Sequence, residues 1–160
     1  PIGRATGHPE LFLSKQEFKS LMDFIAEGRK KKHLDMKFSC EGFVGPYEAQ
    51  VRDSPFFCRA GINIGSILID GSISACPNID RSFVQGNIYR DHFFEIWQNK
   101  FEAFRDRSWT LQGKCADCKD YRDCLGNGFH LWHGEKKDVL VCHKDQLLQK
   151  KTVAPAADGS

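Results

Sequence analysis

The run Cys115-Ala-Asp-Cys118-Lys-Asp-Tyr-Arg-Asp-Cys124 carries three thiols at spacing C-x2-C-x5-C, and Cys142 follows after seventeen residues. Sulfurs so close in sequence can pair as disulfides, bind zinc or hold an iron–sulfur cluster. Zinc takes four thiolates in a tetrahedron, and a cluster takes the same four. Common zinc modules pair two C-x2-C knuckles, whereas here there is one knuckle and a third cysteine offset by five residues. This ranks a cluster first, zinc second and disulfides third. A thioredoxin-like disulfide would also need a local β–α–β frame, which the surrounding pattern lacks. The segment from Cys115 to Cys142 is poor in regular apolar pattern, and metal ligation is one way to staple such a segment.

A second pair lies upstream, Cys58 and Cys76, with Gly71 between them in the pattern C-x12-G-x4-C. Two such thiols alone read as ordinary buried cysteines. Beside four further cysteines they read as part of a second site.

The elements that must position these sulfurs follow from periodicity. Residues 13–32 read as a helix: Ser14 and Glu17 form a capping box, and Phe18, Leu21, Met22 and Ile25 make one apolar stripe. The basic run Arg29 to His33 reads as its solvated C-terminal end. Leu34, Met36, Phe38 and Cys40 alternate with polar residues, as in a strand. With Pro1 to Ala5 as the end of a preceding strand, the opening reads as one β–α–β unit. Residues 65–77 read as a hairpin around Asp70-Gly71, with a type I′ turn. Residues 90–109 read as a second helix, with Asp91 as N-cap and Phe93, Trp97, Phe101 and Phe104 as a core-facing stripe. The tail from residue 149 is small and polar and reads as disordered.

Composition narrows the class. With 160 residues, 41% hydrophobic and 28% charged, the chain can bury a core. A net charge of +2 is no nucleic-acid footprint. No apolar run reaches the roughly 20 residues a bilayer demands. Seven cysteines with no secretory leader point to a reducing cytoplasm, where clustered thiols go with metal or redox chemistry. The chain opens without Met and reads as a piece of a longer protein.

The pattern C-x(9–15)-G-x4-C, then C-x2-C-x5-C, then a last C resembles the SPASM domain, the C-terminal extension of many radical S-adenosylmethionine (radical SAM) enzymes. Cys58, Gly71 and Cys76 match its first part, Cys115, Cys118 and Cys124 its second, and Cys142 its last. Gly86-Asn87 with the Phe94-x-Ile96-Trp97 stretch is similar to the segment that follows the family's hairpin. The wording from Phe57 to Arg81 looks most like Bacteroidetes enzymes of this class, some encoded beside a lipoprotein. The resemblance implies a fold of mixed α+β and α/β character. Residues 1–50 would be a terminal β-α-β piece of the partial barrel. Residues 51–148 would be a small, loop-rich, metal-stapled auxiliary domain with a β-hairpin and a helix, and residues 149–160 a tail.

It also implies a function. The whole enzyme would be an oxidoreductase or maturase that reduces S-adenosylmethionine to a 5′-deoxyadenosyl radical, which abstracts hydrogen from a peptide or protein substrate. An auxiliary [4Fe–4S] cluster would relay electrons or position that substrate, with zinc as a possible substitute. By resemblance, Cys115, Cys118, Cys124 and Cys142 form one complete auxiliary site. The other holds Cys58 and Cys76 and lacks its third cysteine, because Gly128 stands where the family has Cys. Cys40, His130, His133 and His143 are the unassigned donors. Arg4 and Glu41 end the two expected parallel strands and are candidates to touch the cofactor. The C-x3-C-x2-C motif is absent from this sequence, so this piece alone should generate no radical. The rival reading is a zinc- or cluster-stapled peptide-binding module without catalysis. A further reading, an α/β fragment with inert thiols, ranks below both.

Overall fold

The computed structural model describes residues 8–31, 35–39, 41–134 and 136–148. Arg4, Cys40, the expected first strand and the tail lie outside them. The first helix, α1 (Lys15–Lys30), starts as its sequence dictates: the Ser14 side chain accepts from Glu17 N–H, and the Glu17 carboxylate accepts from Ser14 N–H. Phe18, Met22, Ile25 and Ala26 are buried on one face. They pack with Val44 and with Val51 of α2 (Glu48–Val51), and Met36, Phe38, Tyr47 and Leu147 close over them. Arg29 is tied down, with its guanidinium donating to Met36 C=O at 2.9 Å and to Asp53 at 2.6 Å.

The expected strand at residues 34–40 is not formed in its described part. Met36 and Phe38 turn inward and Asp35 and Lys37 outward, as alternation requires. Yet among the described residues the segment makes a single backbone–backbone bond, Phe38 N–H to Val51 C=O at 2.8 Å, to the end of α2. Alternation selects a face, whereas a strand also needs a neighbour to form a ladder. No β–α–β unit is therefore formed by the described residues.

The hairpin is present, as β1 (Ser66–Ile67) antiparallel to β2 (Ser72–Ser74). Its turn differs from the expected two-residue type I′. Leu68 N–H donates to Ser72 C=O and Gly71 N–H to Leu68 C=O, giving a three-residue loop. Only Gly71 has positive φ, +79°. This is the turn-plus-bulge alternative, with glycine in the left-handed position. A third strand, β3 (Gly86–Asn87), pairs antiparallel with β2 and was not expected.

The second helix is broken in two, α3 (Phe93–Asn99) and α4 (Glu102–Arg105). Arg105 causes the break: its guanidinium donates to the carbonyls of Trp97 and Gln98, caps the end of α3 and lies over the Trp97 ring. The N-cap is His92 rather than Asp91, whose carboxylate instead accepts from Asn87 N–H at 2.7 Å. The aromatic stripe is core, as expected. Phe101, Phe104, Ile73 and Phe129 are fully buried, Phe83 lies in the same cluster, and Phe93 and Trp97 pack against them. After α5 (Tyr121–Cys124) comes a second small sheet, β4 (Trp132–His133) antiparallel to β5 (Asp138–Val139), and then α6 (His143–Leu147), which packs on α1. The architecture is a small α+β fold with two antiparallel sheets. No helix among the described residues is long and apolar enough to cross a membrane.

Candidate metal centre

Four separate elements bring the downstream cysteines together. Cys115 ends a 3-10 turn at Gly113–Cys115, Cys118 lies in the following loop, Cys124 closes α5, and Cys142 is the N-cap of α6. All four line one cavity of about 390 Å³. Burial pushes the Cys124 thiol up to about 12, and the negative charge of Cys142 adds to the effect. Burial likewise raises Cys115 and Cys142. Thiols crowded in this way give up protons when a cation or cluster takes their place.

Two cations face these sulfurs. Lys144 Nζ donates to Cys118 Sγ at 3.2 Å and pairs with Asp120 at 2.8 Å. Burial works against the Lys144 charge, but the Asp120 carboxylate and the Cys118 sulfur outweigh it and hold the amine protonated. Arg107 is buried, with one amino group donating to Asn127 C=O at 2.8 Å and the guanidinium 4.4 Å from the Phe129 ring centroid. Among the described residues its Nε and Nη1 find no nitrogen or oxygen acceptor, and the Cys58 sulfur lies within reach of the guanidinium. Burial disfavours its charge, and the Cys58 and Cys124 sulfurs favour it. A buried guanidinium with orphaned donors is costly unless an anion lies nearby. An anionic, sulfur-ligated cluster is such an anion.

The sulfurs ring a cavity rather than meeting at a point. Among the described residues, no three His, Cys, Asp or Glu side chains are grouped so as to hold a single ion. A zinc ion binds thiolates at about 2.3 Å and draws its ligands tightly together. A cluster is several ångströms across and suits a wider ring, so the donor set fits an iron–sulfur cluster.

The loop after Cys124 is held in an unusual backbone. Leu125, Gly126 and Asn127 all have positive φ, at 48°, 78° and 75°. Asn127 is the residue that makes this serviceable: its Oδ1 accepts from Phe43 N–H at 3.0 Å, and its Nδ2 donates to Val141 C=O. Asn127 thereby links the Cys124 loop to the segment before Cys142. Asn127, Arg107 and Lys144 do not stand out by residue type or spacing in the sequence. Gly126-Asn127-Gly128 was the available signal, since Asn tolerates the left-handed region. Arg107 and Lys144 carry none, because each looks like a surface cation.

The upstream pair, Cys58 and Cys76, lines a separate cavity of about 170 Å³. Both pack against the aromatic core, and Cys76 lies two residues after the end of β2. Of the unassigned donors, His130 lines this cavity. His133 sits at the β4–β5 turn, where Nδ1 accepts from Lys136 N–H. Glu41 lines a third cavity of about 380 Å³ with Leu13, Phe38 and His143.

His143 stands in an aromatic wall, with its ring centroid 5.1 Å from Phe18 and 6.1 Å from Phe38. Burial pushes it down from 6.5 to about 4, helped by the charges of His130 and Arg52. Between those values the unfolded chain binds a proton that the folded chain refuses. Stability present above pH 6.5 is therefore lost as pH falls toward 4. The loss should reach no more than about 3 kcal/mol. His143→Phe should flatten this acid limb, measured as the difference in thermal midpoint between pH 7.5 and 5. An unchanged limb would assign the acid sensitivity elsewhere.

Comparison with known proteins bears on the same residues. The SPASM family model, an iron–sulfur cluster-binding domain, matches residues 58–119, from Cys58 through Cys118. Residues 58–119 are thus similar to a SPASM domain. The AdoMet-dependent heme synthase of Nitratidesulfovibrio vulgaris is 24% identical over 143 residues, covering 79% of this chain and 38% of that relative. The chain thus spans well under half the length of that relative. Together these similarities support a radical SAM/SPASM-type protein. No solved structure matches the chain.

Proposed function

We propose that Cys115, Cys118, Cys124 and Cys142 ligate an auxiliary [4Fe–4S] cluster in the C-terminal part of a radical SAM enzyme. In this reading residues 51–148 are the SPASM unit, residues 1–50 the end of the partial barrel and residues 149–160 a tail. The observation that carries it is the ring of four sulfurs around one cavity, with Lys144 bonded to Cys118. Bound there, the cluster would accept and pass on single electrons. The protein's own part is to stabilise the charge: Lys144 and Arg107 offset the negative sulfurs, which are half-buried.

The whole protein's substrate is a peptide or protein in this reading, and its compartment the cytoplasm. A lipoprotein encoded nearby is one candidate. The heme synthase named among its relatives favours a second reading, in which the substrate is a tetrapyrrole. Glu41, at the rim of the 380 Å³ cavity, and Arg4 are proposed to contact S-adenosylmethionine in the whole protein.

Iron, sulfide and zinc content after anaerobic reconstitution, with a visible spectrum, tests the site. About four iron and four sulfide per chain is the minimum the reading demands. Zinc without iron uptake would replace it with a stapled peptide-binding module.

A further inference from the structure

We propose that His130 replaces the cysteine missing at position 128 and, with Cys58 and Cys76, ligates a second iron–sulfur cluster. The inference rests on the SPASM reading of the upstream cysteines and concerns a donor that the pattern does not contain. Three observations converge on it.

First, Cys58, Cys76 and His130 line the same 170 Å³ cavity, although they lie on three separate segments of the chain. Second, the imidazole occupies the space of the missing side chain. A Cβ built on Gly128 would lie 2.6 Å from His130 Cε1 and 2.9 Å from Nδ1. Gly128 itself has φ −74°, which any residue adopts, so the backbone does not demand glycine there. The ring does.

Third, the ring is prepared as a ligand. His130 is only 10% exposed, and its Nε2 lies 3.2 Å from Glu41 C=O. A carbonyl can only accept, so Nε2 carries the proton and Nδ1 presents its lone pair. Nδ1 makes no hydrogen bond among the described residues. An imidazole that donates one N–H to a carbonyl and offers the other nitrogen is the usual arrangement of a metal-bound histidine.

Ligation at Nδ1 releases no proton from the ring, whereas each thiol loses one. Replacing one thiolate by a neutral imidazole removes a negative charge and raises the reduction potential. This site should therefore be the easier of the two to reduce.

The test uses the anaerobically reconstituted chain, with iron and sulfide analysis and pulsed EPR of the dithionite-reduced sample. The unsubstituted chain should bind about eight iron and show nitrogen hyperfine coupling from a directly bound imidazole. His130→Ala should fall to about four iron and lose the coupling, with the four-cysteine cluster retained as the internal sign of folding. The double substitution His130→Ala with Gly128→Cys should return to about eight iron, without nitrogen coupling and at a lower midpoint potential. His130→Ala that keeps about eight iron, or an unsubstituted chain without nitrogen coupling, overturns the assignment. An unsubstituted chain with about four iron overturns this inference and leaves the proposed function standing. No iron at all overturns both.

Discussion

Cys124→Ala should remove about four iron atoms per chain and lower the thermal midpoint of the loaded protein by about 10 °C. The reason is the emptiness of the segment it closes. Residues 111–125 contain no buried residue, and α5 is a single turn that buries nothing. Its polar ties to the rest of the fold are the Tyr121 hydroxyl, which bonds Thr110 and Arg107 C=O, and Lys144, which reaches Cys118 and Asp120. Ligation through Cys115, Cys118 and Cys124 to Cys142 would supply the missing tie. Losing a ligand-linked term of about 3–5 kcal/mol corresponds to that shift in a chain of this size. The apo forms of both proteins should unfold at nearly the same temperature, because alanine removes a ligand and little packing. Equal midpoints for the two reconstituted proteins would rule out the staple.

Phe104→Ala should cost about 3–5 kcal/mol in denaturant unfolding. Phe104 is fully buried, and its ring centroid lies 5.9 Å from Phe83, 5.2 Å from Phe101 and 5.0 Å from Phe129. Gly61 presses on it so closely that a Cβ there would sit 2.2 Å from the Phe104 Cβ, and so the cavity has little scope to collapse. Phe129 stands between Gly128 and His130, and loss of its neighbour should loosen the turn that aims His130. Iron at the Cys58 site should then fall before iron at the four-cysteine site. Phe104→Leu should cost less, about 1 kcal/mol. A cost under about 1 kcal/mol for the alanine variant would mean that this cluster does not set the position of the sites.

Local rules were legible in the residues themselves. The capping box at Ser14, the α1 stripe, the hairpin around Gly71 and the aromatic core face all depend on neighbours within a few positions. Two local expectations failed for reasons outside their own windows. Arg105 reaches back to cap Trp97 and Gln98, which splits one periodic run into two helices. Residues 35–39 alternate like a strand but meet the end of α2 rather than a strand.

The cysteine spacing by itself marked out a candidate donor set, because sulfur chemistry is written in residue type and in the number of residues between ligands. The resemblance to the SPASM pattern, rather than the spacing alone, pointed to Gly128 as a position where that family has a cysteine. Only the tertiary structure decided which histidine lies against Gly128 and which cations face the sulfurs. His130, His133 and His143 are alike in sequence, yet they sit in a cysteine-lined cavity, a hairpin turn and an aromatic wall. Arg107 and Lys144 look like surface charges until burial brings them to sulfur. The physical reason is range: spacing constrains what one segment can bind, whereas desolvation and charge pairing depend on segments far apart in the chain that folding brings together.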